Sequence, residues 1–500
     1  MTPINYTQLL QFALPEVIVV ATALIVMAID LLALRRAPVR LRFSVAATLG
    51  SLGCAGAILP ILHAPAQANL LDGMLVADPL THLVQVALLV LTVVTLLLSI
   101  ESKFTQHIGE FVLLILVATA GMMFLVGSQD LLVIFISLEL LSLSLYILAA
   151  FSKRSAQSWE AALKYFLFGG MSAAFLLFGF SLLYGLSNST SLPHIAAAIQ
   201  VHGASLNPLL VIAIVTTAIG LGFKIAAFPF HFWAPDVYQG APAPAAAFTA
   251  SSSKVASFFI FFQVMALGFA GAEGTASLPH MVRGWIPVLA LMAALSMLLG
   301  NMVALRQSSL RRLLAYSAIA HAGYMLLGIV AHTQQSLAAL LYYVITYALA
   351  TLGAFAVIAV VEEQKGSDEL SNFDGLGKQS PVLSFSLAIS ILSLAGIPPL
   401  AGFFGKFYLF VAVLASTPKP ADLVWLVVLA IAMSAVSLYY YLKVLKHVYV
   451  MPAPEGTATI QTPLLTKVML LAIAAGVILL GCAPQLLLKW ILAAASASGL

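Results

Sequence analysis

Four lysines and one glutamate stand out in this sequence because they lie inside long apolar runs. A charged side chain at the centre of a bilayer costs about 2.5–3.5 kcal/mol on insertion scales, so residues kept there are candidates for a function. Burial also disfavours the charged form of each group. Some of these lysines must therefore be neutral part of the time, which suits a site that takes up and releases protons. The five residues are Lys164, Lys224, Lys254, Lys406 and Glu139.

A histidine extends this set. His321 lies near the centre of another apolar run, and an imidazole changes its charge near neutral pH. Glu139 is expected to stabilise the charged form of Lys224, and loss of that pairing would help to release the proton. We predict a proton relay across the bundle. Its members are Glu139, Lys224, Lys254 and Lys406, with Lys164 and His321 as further candidates.

Plainer explanations exist for each of these residues. Any one buried lysine could form an ion pair that only fixes helix packing. Lys164 stands a few residues into its run, so its apolar stem could carry the ammonium group to the membrane surface. His321 could be a core histidine that is simply hydrogen-bonded.

The elements that hold these residues are predicted to be membrane-spanning helices. Hydrophobic residues make up 62% of the chain and charged residues only 8%, whereas soluble domains are about 25% charged. A spanning helix needs about 20 apolar residues, and helices satisfy their own backbone hydrogen bonds in lipid. We predict an all-α polytopic membrane protein with about fourteen transmembrane helices. The runs cover residues 14–34, 41–63, 80–100, 111–128, 131–151, 161–186, 208–230, 244–270, 285–305, 312–331, 337–361, 382–415, 422–448 and 466–488.

Two of these helices are predicted to be broken. The run 382–415 is far longer than one crossing and contains Pro398-Pro399, which removes two backbone donors and clashes with the preceding turn. The seventh run is cut at Phe228-Pro229 and again at Ala234-Pro235. Broken helices at matching positions of two halves indicate the ion pathway of an inverted-repeat transporter. Prolines that only kink their helices are the alternative.

The spacing of the breaks predicts the domain organisation. They fall in the seventh and twelfth helices, and a repeat of five spans is odd, so its second copy must lie upside down in the membrane. The predicted units are helices 4–8 (residues 111–270) and helices 9–13 (residues 285–450). Helices 1–3 (residues 1–110) and helix 14 (residues 464–500) would be flanking additions.

The positive charges predict the orientation. Alternate connections between the runs hold most of the lysines and arginines, among them Arg35-Arg36, Lys153-Arg154 and Arg311-Arg312, whereas the other connections hold Arg283, Lys419 and Lys489. By the positive-inside rule the first set is cytoplasmic, which places both termini on the outer side. The polar stretch from Glu362 to Ser380 is then a cytoplasmic loop, expected to be a solvated connector.

Redox cofactors do not fit this chain. Its two cysteines, Cys54 and Cys482, lie far apart, and an iron–sulfur cluster needs four ligands close together. The glycine-rich strand–turn–helix unit that binds dinucleotides is also missing from the sequence.

Several motifs around the buried lysines resemble one family. The segment from Phe223 to Pro242, which ends in Asp-Val-Tyr-Gln-Gly-Ala-Pro, resembles the broken seventh helix of the antiporter-like membrane subunits of complex I, the respiratory NADH:quinone oxidoreductase. This ending, followed by the Ser-Lys-Val-Ala around Lys254, is similar to subunit N. The segments 160–166, 311–324 and 396–406 match as well. The resemblance covers essentially the whole chain.

The resemblance implies a function. It implies a proton-translocating subunit in the membrane arm, beside other antiporter-like subunits, with Glu139, Lys224, Lys254 and Lys406 in the proton pathway. NADH, FMN, iron–sulfur clusters and quinone would belong to partner subunits, with no cofactor in this chain. A bacterial cytoplasmic (inner) membrane is expected. Two alternatives stay open, namely a subunit of a multi-subunit cation/proton antiporter and a non-conducting membrane scaffold.

Overall fold

The fold is almost entirely helical. The computed structural model describes residues 6–63, 68–201, 207–278, 280–416, 422–453 and 459–499. Within these ranges the strands form one antiparallel hairpin, β1 (Ala68–Leu70) and β2 (Leu75–Ala77). Lys419, which contributed to the predicted orientation, lies outside the described residues.

The chain begins with helices that pack against one another in sequence order. They are α1 (Tyr6–Phe12), α2 (Leu14–Leu32), α3 (Val39–His63) and α4 (Pro79–Ser99). Helix α4 starts where Asp78 accepts a hydrogen bond from the backbone N–H of Thr81, and its first residue is proline, which needs no helical partner for its nitrogen.

A second group of helices follows and includes the first predicted break. It consists of α5 (Ile108–Val126), α6 (Leu131–Ala149), α7 (Ala156–Ser187), α8 (Leu192–Val201), α9 (Pro208–Lys224), α10 (Trp233–Gly240), α11 (Ala243–Ala250) and α12 (Ser252–Gln263), with a π-helical turn at Val264–Gly268.

The third group contains the second predicted break. It consists of α13 (Trp285–Ala304), α14 (Leu310–Ala331), α15 (Gln334–Lys365), a 3₁₀ turn at Leu370–Phe373, α16 (Leu376–Gln379), α17 (Pro381–Ala395), α18 (Ala401–Ala415), α19 (Val424–Tyr449), α20 (Leu464–Cys482) and α21 (Gln485–Ala497).

The predicted all-α membrane fold is confirmed. Twelve spans among the described helices are long and apolar enough to cross a membrane. Two further predicted runs are the broken ones, now seen as α9–α10 and α17–α18, whose pieces are too short to count individually. The total of fourteen crossings stays a prediction.

The breaks differ in detail from those predicted. Non-helical backbone occupies residues 225–232, around Phe228-Pro229, and residues 396–400, around Pro398-Pro399. The second cut predicted at Ala234-Pro235 is wrong, because Pro235 lies in the first turn of α10, where proline is tolerated. A further break was not predicted. It falls at Ser251, between α11 and α12, where the backbone leaves helical geometry without any proline.

Helices of the second group have counterparts in the third group. The long helices α7 and α15 contain 32 residues each, and each is followed by a broken helix. The pairs α5–α6 and α13–α14 both pack closely. The inverted repeat itself stays a prediction.

Burial divides the bundle into an enclosed centre and an exposed periphery. In the most apolar stretch of α14, 94% of the residues are buried inside the protein, whereas the figure is 33% for α2, α3, α7 and α20. The helix that carries His321 is therefore enclosed by the chain itself.

Candidate proton-transfer site

Helix ends place the three buried lysines. Lys224 is the last residue of α9, Lys254 lies in the first turn of α12 after the break at Ser251, and Lys406 lies in the second turn of α18. Helix ends leave backbone N–H and C=O groups without intrahelical partners. Each break therefore places polar backbone groups and a lysine close together inside an apolar bundle.

The second break holds Lys406 directly. Its ammonium group donates hydrogen bonds to the backbone oxygens of Leu394 (3.3 Å) and Ala395 (3.1 Å), at the end of α17, and to the Ser434 hydroxyl (2.9 Å). A side chain at Gly396, whose φ of +85° favours glycine, would lie within 3.2 Å of the Lys406 stem. Neutral acceptors, rather than a carboxylate, thus surround this ammonium group.

Lys254 is held in a similar way. It is only 1% exposed, and its ammonium group donates a hydrogen bond of 2.9 Å to the backbone oxygen of Ala318 on α14. The ring of Tyr347 lies 5.4 Å from the ammonium nitrogen, within reach of a cation–π interaction.

His321 lies between these two lysines. Both lysines are near enough to interact electrostatically with its ring. The ring Nδ1 is hydrogen-bonded to the Tyr343 hydroxyl (2.8 Å) and Nε2 to the Tyr441 hydroxyl (3.0 Å). Because a neutral imidazole has one donor and one acceptor nitrogen, this arrangement permits a proton to arrive on one side and leave from the other.

The tyrosines around His321 were missed by the sequence analysis. The hydroxyl of Tyr441 also contacts that of Ser317 at 2.5 Å. Beside these residues, Asn301 donates to Tyr324 and accepts from Tyr440, both at 3.0 Å. A buried tyrosine hydroxyl requires a partner. Tyrosines inside apolar helices were therefore the signal that could have revealed this network.

Glu139 and Lys224 are brought together at the other end of the site. Glu139 is half-buried on α6 and interacts electrostatically with Lys224, without a direct ion pair between them. The Lys224 nitrogen lies 5.7 Å from the centre of the Tyr146 ring. It has no hydrogen-bond partner among the described residues. The predicted neighbourhood of Glu139 and Lys224 is thus present in the structure.

Tyr238 lies between the Lys224 and Lys254 environments. It lies near Tyr165, which packs against Tyr146 close to Lys224, and near Tyr347, which lies beside Lys254. Within the described parts of the chain its buried hydroxyl has no hydrogen-bond partner. A water molecule could therefore bind here and join the two halves of one row of residues, Glu139 and Lys224 on one side and Lys254, His321 and Lys406 on the other.

The structure separates Lys164 from this row. Its side chain is 39% exposed and forms ion pairs with Glu160 and Asp236, each at 2.7 Å. Asp236 also pairs with Arg312 at 2.8 Å. This is the position expected for a lysine whose ammonium group reaches the membrane surface. We therefore leave Lys164 out of the relay.

Replacing Lys164 with alanine is expected to leave proton transfer unchanged. The ion pairs are solvent-screened, so the stability lost should be no more than about 1 kcal/mol. The measurement is proton translocation per NADH oxidised in vesicles that contain the variant complex. A loss as large as that of a Lys254 variant would return Lys164 to the relay.

Arg311 fixes the C-terminal end of the first broken helix. Its guanidinium donates to the backbone oxygens of Gln239 (3.2 Å) and Ala241 (2.8 Å), just at the end of α10, and pairs with Glu362. The arginine is 3% exposed. Arg311 thereby ties α14, which carries His321, to α10 and to the end of α15.

The loop after α15 is more ordered than a solvated connector. Asp368 is only 8% exposed and accepts hydrogen bonds from the Ser309 hydroxyl and from the backbone N–H of Arg311 at the start of α14. Asp374 contacts His447 of α19 at 2.6 Å. The expectation of a purely solvated loop is therefore wrong.

No metal site accompanies this row. Among the residues that the structure describes, no group of three or more histidine, cysteine, aspartate or glutamate side chains could hold a metal ion. Cys54 is buried and Cys482 is exposed, and both are free thiols.

Comparison with known sequences gives consistent matches. The family model described as NADH:quinone oxidoreductase/Mrp antiporter, transmembrane, matches residues 128–436. The NADH-quinone oxidoreductase subunit N 2 of Acidobacterium capsulatum is 55% identical over 98% of this chain and 100% of its own length. The NAD(P)H-quinone oxidoreductase subunit 2 of Thermosynechococcus vestitus is 38% identical over 90% of this chain and 84% of its own.

Solved structures give the same result. A chain of respiratory complex I from Thermus thermophilus superposes with a TM-score of 0.77 at 34% identity, over 95% of this chain and 98% of that one. A chain of the Mrp complex from Dietzia sp. has a TM-score of 0.80 at 20% identity, over 97% of both chains, which shows the shared fold alone. The chain therefore belongs to the NADH:quinone oxidoreductase/Mrp antiporter family of membrane proteins.

Proposed function

We propose that this chain is the proton-translocating subunit N of a membrane-bound NADH:quinone oxidoreductase. The observation that carries the proposal is the fully enclosed part of this row, formed by Lys254, His321 and Lys406. The two ammonium groups contact neutral groups instead of carboxylates. Lys254 contacts a backbone oxygen and a tyrosine ring, and Lys406 contacts backbone oxygens and a serine hydroxyl. A fixed structural charge would gain from an anionic partner, whereas these surroundings leave the lysines free to be charged or neutral.

Protons would move between neighbouring groups in the row. A proton on Lys224 is stabilised by the charge of Glu139 and is released when that interaction weakens. From Lys254 it passes to His321, whose ring accepts it on one nitrogen and gives up the proton of the other through a tyrosine hydroxyl. Lys406 then receives it beside the second break. Each step needs only small movements of side chains, tyrosine hydroxyls and bound water.

The partners and membrane of this function follow from the family and the charges. The relatives are named as subunits of quinone oxidoreductases, so NADH, FMN, iron–sulfur clusters and quinone are assigned to partner subunits and supply the driving force. The membrane would be the bacterial cytoplasmic membrane. Both termini would lie on its outer side, since the arginine- and lysine-rich connections would face the cytoplasm.

The domain organisation belongs to the same proposal. Residues 111–270 and 285–450 would be inverted units, each with one helix broken at a proline, flanked by residues 1–110 and 464–500. The equal lengths of α7 and α15 and the position of a break after each support this arrangement. The two units would then each contribute part of one proton path.

Replacing Glu139 with glutamine tests the proposal. The amide keeps the shape of the side chain but removes the charge that acts on Lys224, so proton transfer through this chain should fall by about tenfold, equivalent to about 1.4 kcal/mol. The measurement is the number of protons translocated per NADH oxidised by the reconstituted complex. Unchanged translocation at normal assembly would contradict the relay, and sodium efflux without a redox partner would favour the cation/proton antiporter.

A further inference from the structure

A buried carboxyl group lies far along the chain from the relay, in the first turn of α2. Glu16 is 3% exposed. Its Oε1 accepts one hydrogen bond, from the Gln85 side-chain nitrogen at 2.8 Å, and its Oε2 has no partner among the described residues. Within that part of the chain, no cationic side chain forms an ion pair with it. Glu16 is not among the residues that the sequence predicts to be functional.

The carboxyl group faces a cavity. The cavity has a volume of about 320 Å³ and is lined by side chains of α1, α2, α3 and α4, by strand β2 and by Gly127 at the end of α5. Its polar lining comprises Glu16, Gln11, Gln85, His63 and His82. In the predicted orientation these ends of α2, α3, α4 and α5 lie at the outer side of the membrane. The cavity is large enough to contain several water molecules.

A second acidic residue of α2 provides a direct comparison. Asp30 is 1% exposed, as deeply buried as Glu16. It accepts two hydrogen bonds from the Arg42 guanidinium, at 2.7 and 2.6 Å, and one from the backbone N–H of Gly109 at 3.0 Å. A bidentate arginine pair stabilises an ionised carboxylate. Asp30 is thus built to carry a negative charge, and Glu16 is not.

We propose that Glu16 is a proton-binding site that exchanges protons with the outer side of the membrane through this cavity. A buried carboxylate with one hydrogen bond and no cation is too costly to persist, so the group holds a proton instead. The titratable groups that face it are His63 of α3 and His82 of α4, and Asp78 at the start of α4 acts on His82. The site is independent of the lysine row, and its proposal does not rest on the relay.

Infrared spectroscopy of the purified complex tests this proposal. The difference spectrum between the wild type and Glu16→Gln should contain the carbonyl stretch of a protonated carboxyl group at neutral pH, and transfer to D₂O should shift that band. The matched variant Asp30→Asn should instead remove a carboxylate band. The variant Gln85→Lys should convert Glu16 to the carboxylate, because it supplies the cation that the site lacks.

Three outcomes would overturn the proposal. The first is that the wild-type band lost in Glu16→Gln is that of a carboxylate and not of a protonated carboxyl group. The second is a protonated band that does not shift in D₂O, which would show that the cavity does not exchange with the outer solution. The third is conversion to the carboxylate by sodium chloride at constant pH, which would make this a site for a monovalent cation. None of these results depends on Glu139 or the lysines, so they leave the proposed function standing.

Discussion

Replacing Lys254 with methionine is expected to abolish the contribution of this chain to proton translocation while the complex still assembles. Methionine fills a similar volume but cannot carry a proton, and loss of a positioned proton-transfer group costs about 100-fold or more in rate. The fully buried position and the hydrogen bond to Ala318 leave little room for water to replace the ammonium group. The measurement is the ratio of protons translocated to NADH oxidised in reconstituted vesicles.

An arginine at the same position separates the relay from a purely structural charge. Arginine keeps the positive charge but is not deprotonated in proteins. If Lys254 transfers protons, Lys254→Arg should be as defective as Lys254→Met; if it only fixes packing by its charge, the arginine variant should retain translocation. Lys489→Met, at an exposed position of α21, serves as the matched control and should behave like the wild type.

Replacing Arg311 with alanine is expected to produce the largest loss of stability. The change leaves Glu362 and the backbone oxygens of Gln239 and Ala241 without their donor. Removal of one partner of a buried pair costs about 3–5 kcal/mol, and we expect about 3 kcal/mol because Glu362 is itself 33% exposed. The free energy of unfolding of the purified chain, measured by titration with a denaturing detergent, gives this value directly.

Two further variants define the cause of that loss. Arg306→Ala removes an arginine that is exposed in the connection just before α14 and should have no measurable effect. Arg311→Lys keeps the charge but replaces a planar group of five donors by a single ammonium, so it should be intermediate. Equal stability of Arg311→Ala and the wild type would mean that α10 is held by other contacts.

The fold was predictable because its main signal is long and repetitive. Runs of about 20 apolar residues identify crossings almost independently of context, and Pro398-Pro399 removes backbone donors wherever it stands. The break at Ser251 was not predictable in the same way. Its neighbours are small residues that accept helical geometry, so the departure depends on packing between α11, α12 and the surrounding helices.

The site was predictable only where a charge lies in an apolar run. That signal identified Glu139, Lys224, Lys254 and Lys406. The structure places the three lysines beside helix breaks and Glu139, half-buried on α6, near Lys224. It marked Lys164 as a lysine that could reach the membrane surface, but only the fold identifies Glu160 and Asp236 as the carboxylates that pair with it. It also passed over Tyr343 and Tyr441, whose hydroxyl groups become significant only once α15 and α19 are packed around His321.

The enclosure of α14 has a practical consequence for experiments on the isolated chain. A detergent belt would replace lipid around α2, α3, α7 and α20, most of whose residues face outward. It would not reach His321 or Lys406, which the polypeptide itself surrounds. Glu139, half-buried on α6, is the member of the row whose surroundings would change on extraction. Solubilised preparations should therefore preserve the chemistry around His321 and alter it first at Glu139.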